Sequence, residues 1–242
     1  MKKWVLIVVL FPYLLVAQTT ADKDTVVQSD AYSFHSQQLI FPGALVALSI
    51  YGSVYWDKEI QKQAVKWKGN TKIDDVSVFI PGASIYVLDW CGIPSKHNFT
   101  DKTVIATTTA AITLGSVFFL KEATNVMRPD GSNNRSFPSM HTAVAFAGAE
   151  LLRQEYKDQS VWYGIAGYGV AAGSGFLRIY NDKHWFSDVL VGAGIGILST
   201  RAAYWMFPSL QRLYTSDKPG ESVSVLPFVS DRGIGFGLSA RF

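Results

Sequence analysis

The chain has one cysteine, Cys91, in 242 residues, so no internal disulfide and no thiolate metal cluster can form. It has no run of lysine and arginine interleaved with aromatics, and its net charge is only +3. Both facts argue against nucleic acid as a partner. The glycine-rich loop that cradles phosphates in nucleotide enzymes is missing. So is any motif of clustered carboxylates that would hold Mg²⁺, and no long internal repeat or low-complexity segment is evident. Apolar residues are plentiful: 48% of the chain is hydrophobic and the mean hydropathy is +0.15. These values lie above a typical soluble enzyme and below a fully lipid-embedded bundle.

At the N-terminus, Lys2 and Lys3 precede an uncharged stretch from Trp4 to Val16 that ends at Ala17-Gln18. This order of charge, apolar run and small residue is that of a secretory signal cut after Ala17, or of an uncleaved anchor. Either form enters the export pathway, and in a bacterial host leads to the cell envelope. Residues 18–34 are polar and read as a flexible lead-in. Uncharged stretches then recur at 37–56, 76–88, 103–120, 161–177 and 189–200; the longer ones are compatible with crossing a bilayer. Residues 142–156 carry Glu150, Arg153 and Glu155 and read as an amphipathic helix. Between the first two stretches, residues 57–75 hold five lysines, either a cytoplasmic flank or a solvated face. Five to six helices with short connections predict an all-α bundle. After Pro208 the pattern changes: Ile234, Phe236, Leu238, Ala240 and Phe242 alternate with small or polar residues, and Asp231-Arg232-Gly233 offers a turn. That predicts a C-terminal β-hairpin, too few strands to close a barrel.

Several polar residues interrupt the second half of the chain. Lys121 follows an apolar run, and Arg128-Pro129 comes seven residues later. Ser139 and His141 flank a helix start, Arg178 ends an apolar stretch, and His184 stands four residues before Asp188. Singly, each has an ordinary structural reading: a snorkelling lysine, a loop start, an N-cap, a surface His–Asp pair. Their order is specific. KEATNVMRP (121–129), PSMH (138–141) and LRIYNDKHWFSD (177–188) resemble the three-part signature of the type 2 phosphatidic acid phosphatase (PAP2) superfamily, Lys-x6-Arg-Pro, Pro-Ser-Gly-His and Ser-Arg-x5-His-x3-Asp. The resemblance covers about residues 100 to 207. Met140 replaces the glycine and Leu177 the serine, which bears on substrate fit more than on chemistry. PDGSNNRSFPSMHTA (129–143) and WYGIAGYG (162–169) further resemble secreted PAP2 proteins of Gram-negative anaerobes, among them lipid A phosphatases.

The resemblance implies a PAP2-type helical domain over residues 35–208, with a C-terminal extension over 209–242. It implies His184 as nucleophile, Asp188 as its orienting partner and His141 as general acid. It implies a phosphate site made by Lys121, Arg128, Ser139, Arg178 and the backbone N–H of Met140. The residue types fit that chemistry, because phosphoryl transfer loads charge onto equatorial oxygens and positioned cations stabilise it. A helix start adds free N–H groups. The expected reaction needs no metal or other cofactor. His35 and His97 fall outside the motifs and read as structural or solvent-exposed, and Asp182 and Lys183 as rim residues.

The preferred expectation is an exported, membrane-associated phosphatase acting on an envelope lipid, lipid A first. Phosphatidic acid, phosphatidylglycerol phosphate and polyprenyl diphosphate follow. Its site would face the periplasm from the inner membrane, or the protein would be periplasmic, and no obligate protein partner is inferred. The alternative is a soluble periplasmic acid phosphatase of low specificity. A vanadate haloperoxidase-like enzyme and a non-enzymatic envelope structural protein rank below both.

Overall fold

In the computed structural model, residues 36–67 and 69–215 are described in full, and 222–230 and 233–241 by backbone alone. The export signal, the lead-in, His35 and the Asp231-Arg232 part of the turn lie outside the described residues. A short 3-10 turn (Ser36–Leu39) leads into eight helices: α1 (Ile40–Tyr55), α2 (Asp57–Trp67), α3 (Ile73–Ser77), α4 (Ile80–Trp90), α5 (Phe99–Thr124), α6 (Met140–Tyr156), α7 (Val161–Tyr180) and α8 (Phe186–Gln211). Among the described residues, the expected count of five to six is therefore corrected to eight. The two added helices, α2 and α3, come from the lysine-rich segment, whose charge hides them from an apolar-run count. Beyond the bundle, β1 (Ser222–Ser230) and β2 (Gly233–Arg241) pair antiparallel, with Ser222 opposite Arg241. The bundle itself is entirely helical among the described residues.

Local chemistry sets the helix ends nearest the motifs. Asn98 caps α5 by accepting the Asp101 N–H at 2.9 Å. Asn125 closes the same helix in the left-handed region at φ 49°, a conformation asparagine tolerates. Ser139 caps α6 and Ser160 caps α7. At the start of α8, the Asp188 carboxylate reaches back to the Trp185 N–H at 2.9 Å.

Helix α6 is the central post, packed on α7 and α8, with α4 also against it; α1 and α5 flank α8. The α6–α8 approach is backbone to backbone. A Cβ at Gly192 would stand 2.6 Å from the Ser139 carbonyl oxygen, and one at Gly196 would fall on the Ala143 carbonyl oxygen. Only glycine fits there. Apolar burial concentrates at one end, where Ile85, Ile105, Leu152, Tyr156, Tyr204 and Phe207 form a cluster. His97 joins that end: it is 4% exposed, and its Nδ1 lies 2.7 Å from Glu155 Oε1, so its role is structural. Helices α5 and α7 run from that end toward the motif residues, and α6 and α8 run away from them.

Among the described residues, three helical segments are long and apolar enough to cross a membrane: Ser36–Tyr55, Phe99–Thr124 and Phe186–Gln211. The third contains the twelve-residue run at 189–200 that looks too short in isolation. The run at 161–177 is not among the three, since glycines and tyrosines dilute α7.

Candidate active site

Lys121 sits in the last turn of α5 and is buried. Its Nζ donates to the carbonyls of Arg135 at 2.8 Å and Ser136 at 3.2 Å, pinning the 125–138 loop over the end of the helix. Within that loop the Arg128 N–H donates to the Asn133 carbonyl at 2.9 Å, and the Ser136 N–H to Val126 at 2.9 Å. Lys121 also interacts electrostatically with Arg128, Arg178 and Asp188, so the three motif cations share one region.

Ser139 is fully buried. Its Oγ accepts the Thr142 N–H at 3.4 Å and the Thr142 hydroxyl at 2.9 Å, which leaves its own O–H as the group to offer an anion. Its backbone N–H donates to the Asp188 carbonyl at 3.1 Å, locking the start of α6 to the start of α8.

His184 is 1% exposed, with Nδ1 3.4 Å from Asp188 Oδ2. That carboxylate oxygen also accepts the Trp185 N–H and the Ser136 hydroxyl. With Nδ1 turned to Asp188, Nε2 carries the free lone pair. Burial pushes the His184 pKa down to about 4; Arg178 and Lys121 add to the fall, and Asp188 opposes it. The ring is therefore neutral near pH 7. His141, in the first turn of α6, is half-buried, with Nε2 3.1 Å from Asp75 Oδ1. Burial and then Arg178 hold its pKa below the usual histidine value, while Asp75 and Asp74 act against that.

Arg178 ends α7 nearly buried, and its Nη1 pairs with Asp74 Oδ2. Asp74 Oδ1 accepts the Asn181 side-chain amide at 3.1 Å, and Asn181 is fixed on both faces to the backbone of Thr71. Arg128 and Arg178 feel one another's charge. The Nε of each is buried with no hydrogen-bond partner. A buried donor left unpaired costs about 1–3 kcal/mol, so two such donors on arginines that feel one another's charge are groups able to receive an anion.

Every motif residue singled out in the sequence thus falls at one end of the bundle. Met140 opens α6 half-buried and, with His141, lines a cavity of about 480 Å³ rather than closing over the cations. Sequence reasoning missed Asp74, Asp75, Asn181 and Ser136. The only signal for the two aspartates is their adjacency ahead of the 76–88 run. Asp182 is corrected from rim to interior: it is 6% exposed, has φ 61° and accepts a bond from Gln61. Lys183 reaches Asp130 Oδ2 at 2.7 Å.

Among the described residues, the fold does assemble one carboxylate group that the sequence does not announce. Asp74, Asp75 and His141 bring one ligand atom each within 4.8 Å of one another. Each of those side chains already has a partner, Arg178 and Asn181 for Asp74 and His141 for Asp75, so the group reads as an ion-pair network.

The sequence profile of the PAP2 superfamily matches residues 55–212. The chain belongs to the PAP2 superfamily. This PAP2 chain is 38% identical over 138 residues to the lipid A 1-phosphatase of Porphyromonas gingivalis. The match covers 57% of the chain and 31% of that protein, so it spans under a third of the curated relative. Among solved structures it is similar to a transmembrane PAP2-type phosphatidylglycerolphosphate phosphatase from Bacillus subtilis. That likeness has a TM-score of 0.43 at 20% identity, over 75% of this chain and 98% of the other.

Proposed function

We propose that this PAP2 chain is a phosphatase of an envelope lipid that works through a phosphohistidine intermediate, with lipid A the preferred substrate. The observation that carries the reading is the pair of buried, unpartnered Nε donors on Arg128 and Arg178, beside a His184 kept neutral by burial. The arginines and Lys121 hold the phosphoryl oxygens. His184 Nε2 attacks phosphorus as the bond to the leaving oxygen breaks, and His141 hands that oxygen a proton. Asp188 steadies the imidazolium that forms at His184. Water then attacks the phosphohistidine with His141 as base, freeing inorganic phosphate and His184. No step calls on a metal. The choice of lipid A is supported by the 38% identity to a protein bearing that name and by the three apolar helices. Export to a bacterial envelope is supported by the N-terminal sequence.

The test is phosphate release by the purified protein from lipid A, phosphatidic acid, phosphatidylglycerol phosphate, polyprenyl diphosphate and nitrophenyl phosphate, with and without chelator. His184→Ala is expected to lose about 10³-fold or more on every substrate, and chelator to change nothing. Normal turnover by His184→Ala removes the nucleophile assignment. Activity confined to nitrophenyl phosphate favours the soluble acid phosphatase instead.

A further inference from the structure

The cavity beside His141 and Met140 lies between α4, α5 and α6, and its wall is apolar, with Phe79, Leu114, Val144 and Leu151 among its residues. Thr109 and Thr113 interrupt that wall, one turn apart on the same face of α5. They are 2% and 1% exposed, and neither Oγ1 has a hydrogen-bond partner. A helical threonine has an easy remedy for this, a bond back to the carbonyl one turn earlier. The same helix uses it three times: Thr103 to Phe99 at 2.7 Å, Thr107 to Thr103 at 2.8 Å and Thr124 to Leu120 at 2.8 Å. Those three are partly or fully exposed on the helix surface. The buried pair, with most to gain, holds its hydroxyls unspent.

Two further observations point to the partner. Only 22% of the apolar window of α5 is buried, so the cavity is walled by a helix with open apolar flanks, reachable by a hydrocarbon chain from a bilayer. Thr113 and Thr109 precede Lys121 on α5 by eight and twelve residues, about 12 and 18 Å at 1.5 Å per residue. That is deeper than a head-group ester next to the phosphate would reach, and suits an oxygen borne on the chain.

We propose that this cavity receives the acyl chain nearest the substrate phosphate, and that Thr109 and Thr113 hydrogen-bond an oxygen substituent on that chain, a hydroxyl or acyloxy group. A turn about χ1 swaps the places of hydroxyl and methyl, so the pair can address an occupant without backbone movement. The inference rests on the lipid-phosphatase reading and narrows it to lipids with oxygenated chains.

The test compares two lipid phosphates of equal chain length, one with 3-hydroxyacyl and one with unsubstituted chains, alongside nitrophenyl phosphate, on the full chain in detergent. The isosteric double change Thr109→Val with Thr113→Val is expected to cut kcat/KM about 10-fold on the hydroxyacyl lipid alone. The matching serine changes, which keep the hydroxyls, are expected to retain the preference. Ala110→Phe, at the exposed rim of the cavity, is expected to lose about 10-fold or more on both lipids and nothing on nitrophenyl phosphate. An unchanged ratio of the two lipids in the valine variant overturns the chain-oxygen assignment. Undiminished lipid turnover by Ala110→Phe overturns the cavity as chain site. Wild-type protein that hydrolyses nitrophenyl phosphate and neither lipid overturns the lipid reading itself, and this inference with it.

Discussion

His141 has two neighbours of opposite effect, Arg178 lowering its pKa and Asp75 raising it. If His141 is the acid, activity falls as pH rises through its pKa. Asp75→Asn removes a negative charge that favours the imidazolium, so that pKa drops further. The alkaline limb of kcat/KM is then expected to move to lower pH, with the acid limb in place; a pH–rate profile of the variant measures it, and an unmoved alkaline limb removes the acid assignment. The motif residues were legible because their spacing along one stretch of chain is their signature. Asp74 and Asp75 were not, because nothing local marks them. They reach the site through Asn181, which ties the Thr71 backbone to the end of α7.

Apart from α2 and α3, helix positions followed from apolar or amphipathic runs, and helix lengths did not. The run at 189–200 became a 26-residue helix, because polar residues such as Asp188 and Arg201 find partners inside the bundle and need not end it. The close α6–α8 contact is what brings Ser139 against Asp188, and it depends on glycine. Gly196→Val puts side-chain atoms onto the Ala143 carbonyl. The expected cost is about 2 kcal/mol or more of stability, with a fall in kcat as α8 shifts Asp188. Gly169→Ala is the control, since a Cβ there meets nothing within 4 Å and the thermal midpoint is expected to hold. Equal midpoints for the two variants would mean that the contact is looser than described.

Across the whole molecule, the up-and-down course and an association with membrane were readable, while which runs cross a bilayer was not, because apolar runs also build cores. The bundle separates the two uses. The window of α8 is 61% buried, whereas those of the Ser36–Tyr55 segment and α5 are 17% and 22% buried; α8 serves the core and the other two present apolar flanks. Phe41, Ile50, Phe118 and Phe119 are all exposed there. The protein is therefore expected to stay with the membrane fraction through salt and alkaline washes and to need detergent for release, as fractionation followed by immunoblotting would show. Recovery in the wash would put the soluble phosphatase, until then the alternative, in first place.

The Asp74–Arg178 and Asp75–His141 pairs bear on the end of the catalytic cycle. On the proposed mechanism, inorganic phosphate left by hydrolysis would share Arg178 with the Asp74 carboxylate, and the resident aspartate would then speed the product's departure. Asp74→Asn is expected to tighten product inhibition by phosphate about 3- to 10-fold, measured as the inhibition constant in the nitrophenyl phosphate assay. An unchanged constant would mean that phosphate leaves without competition from Asp74.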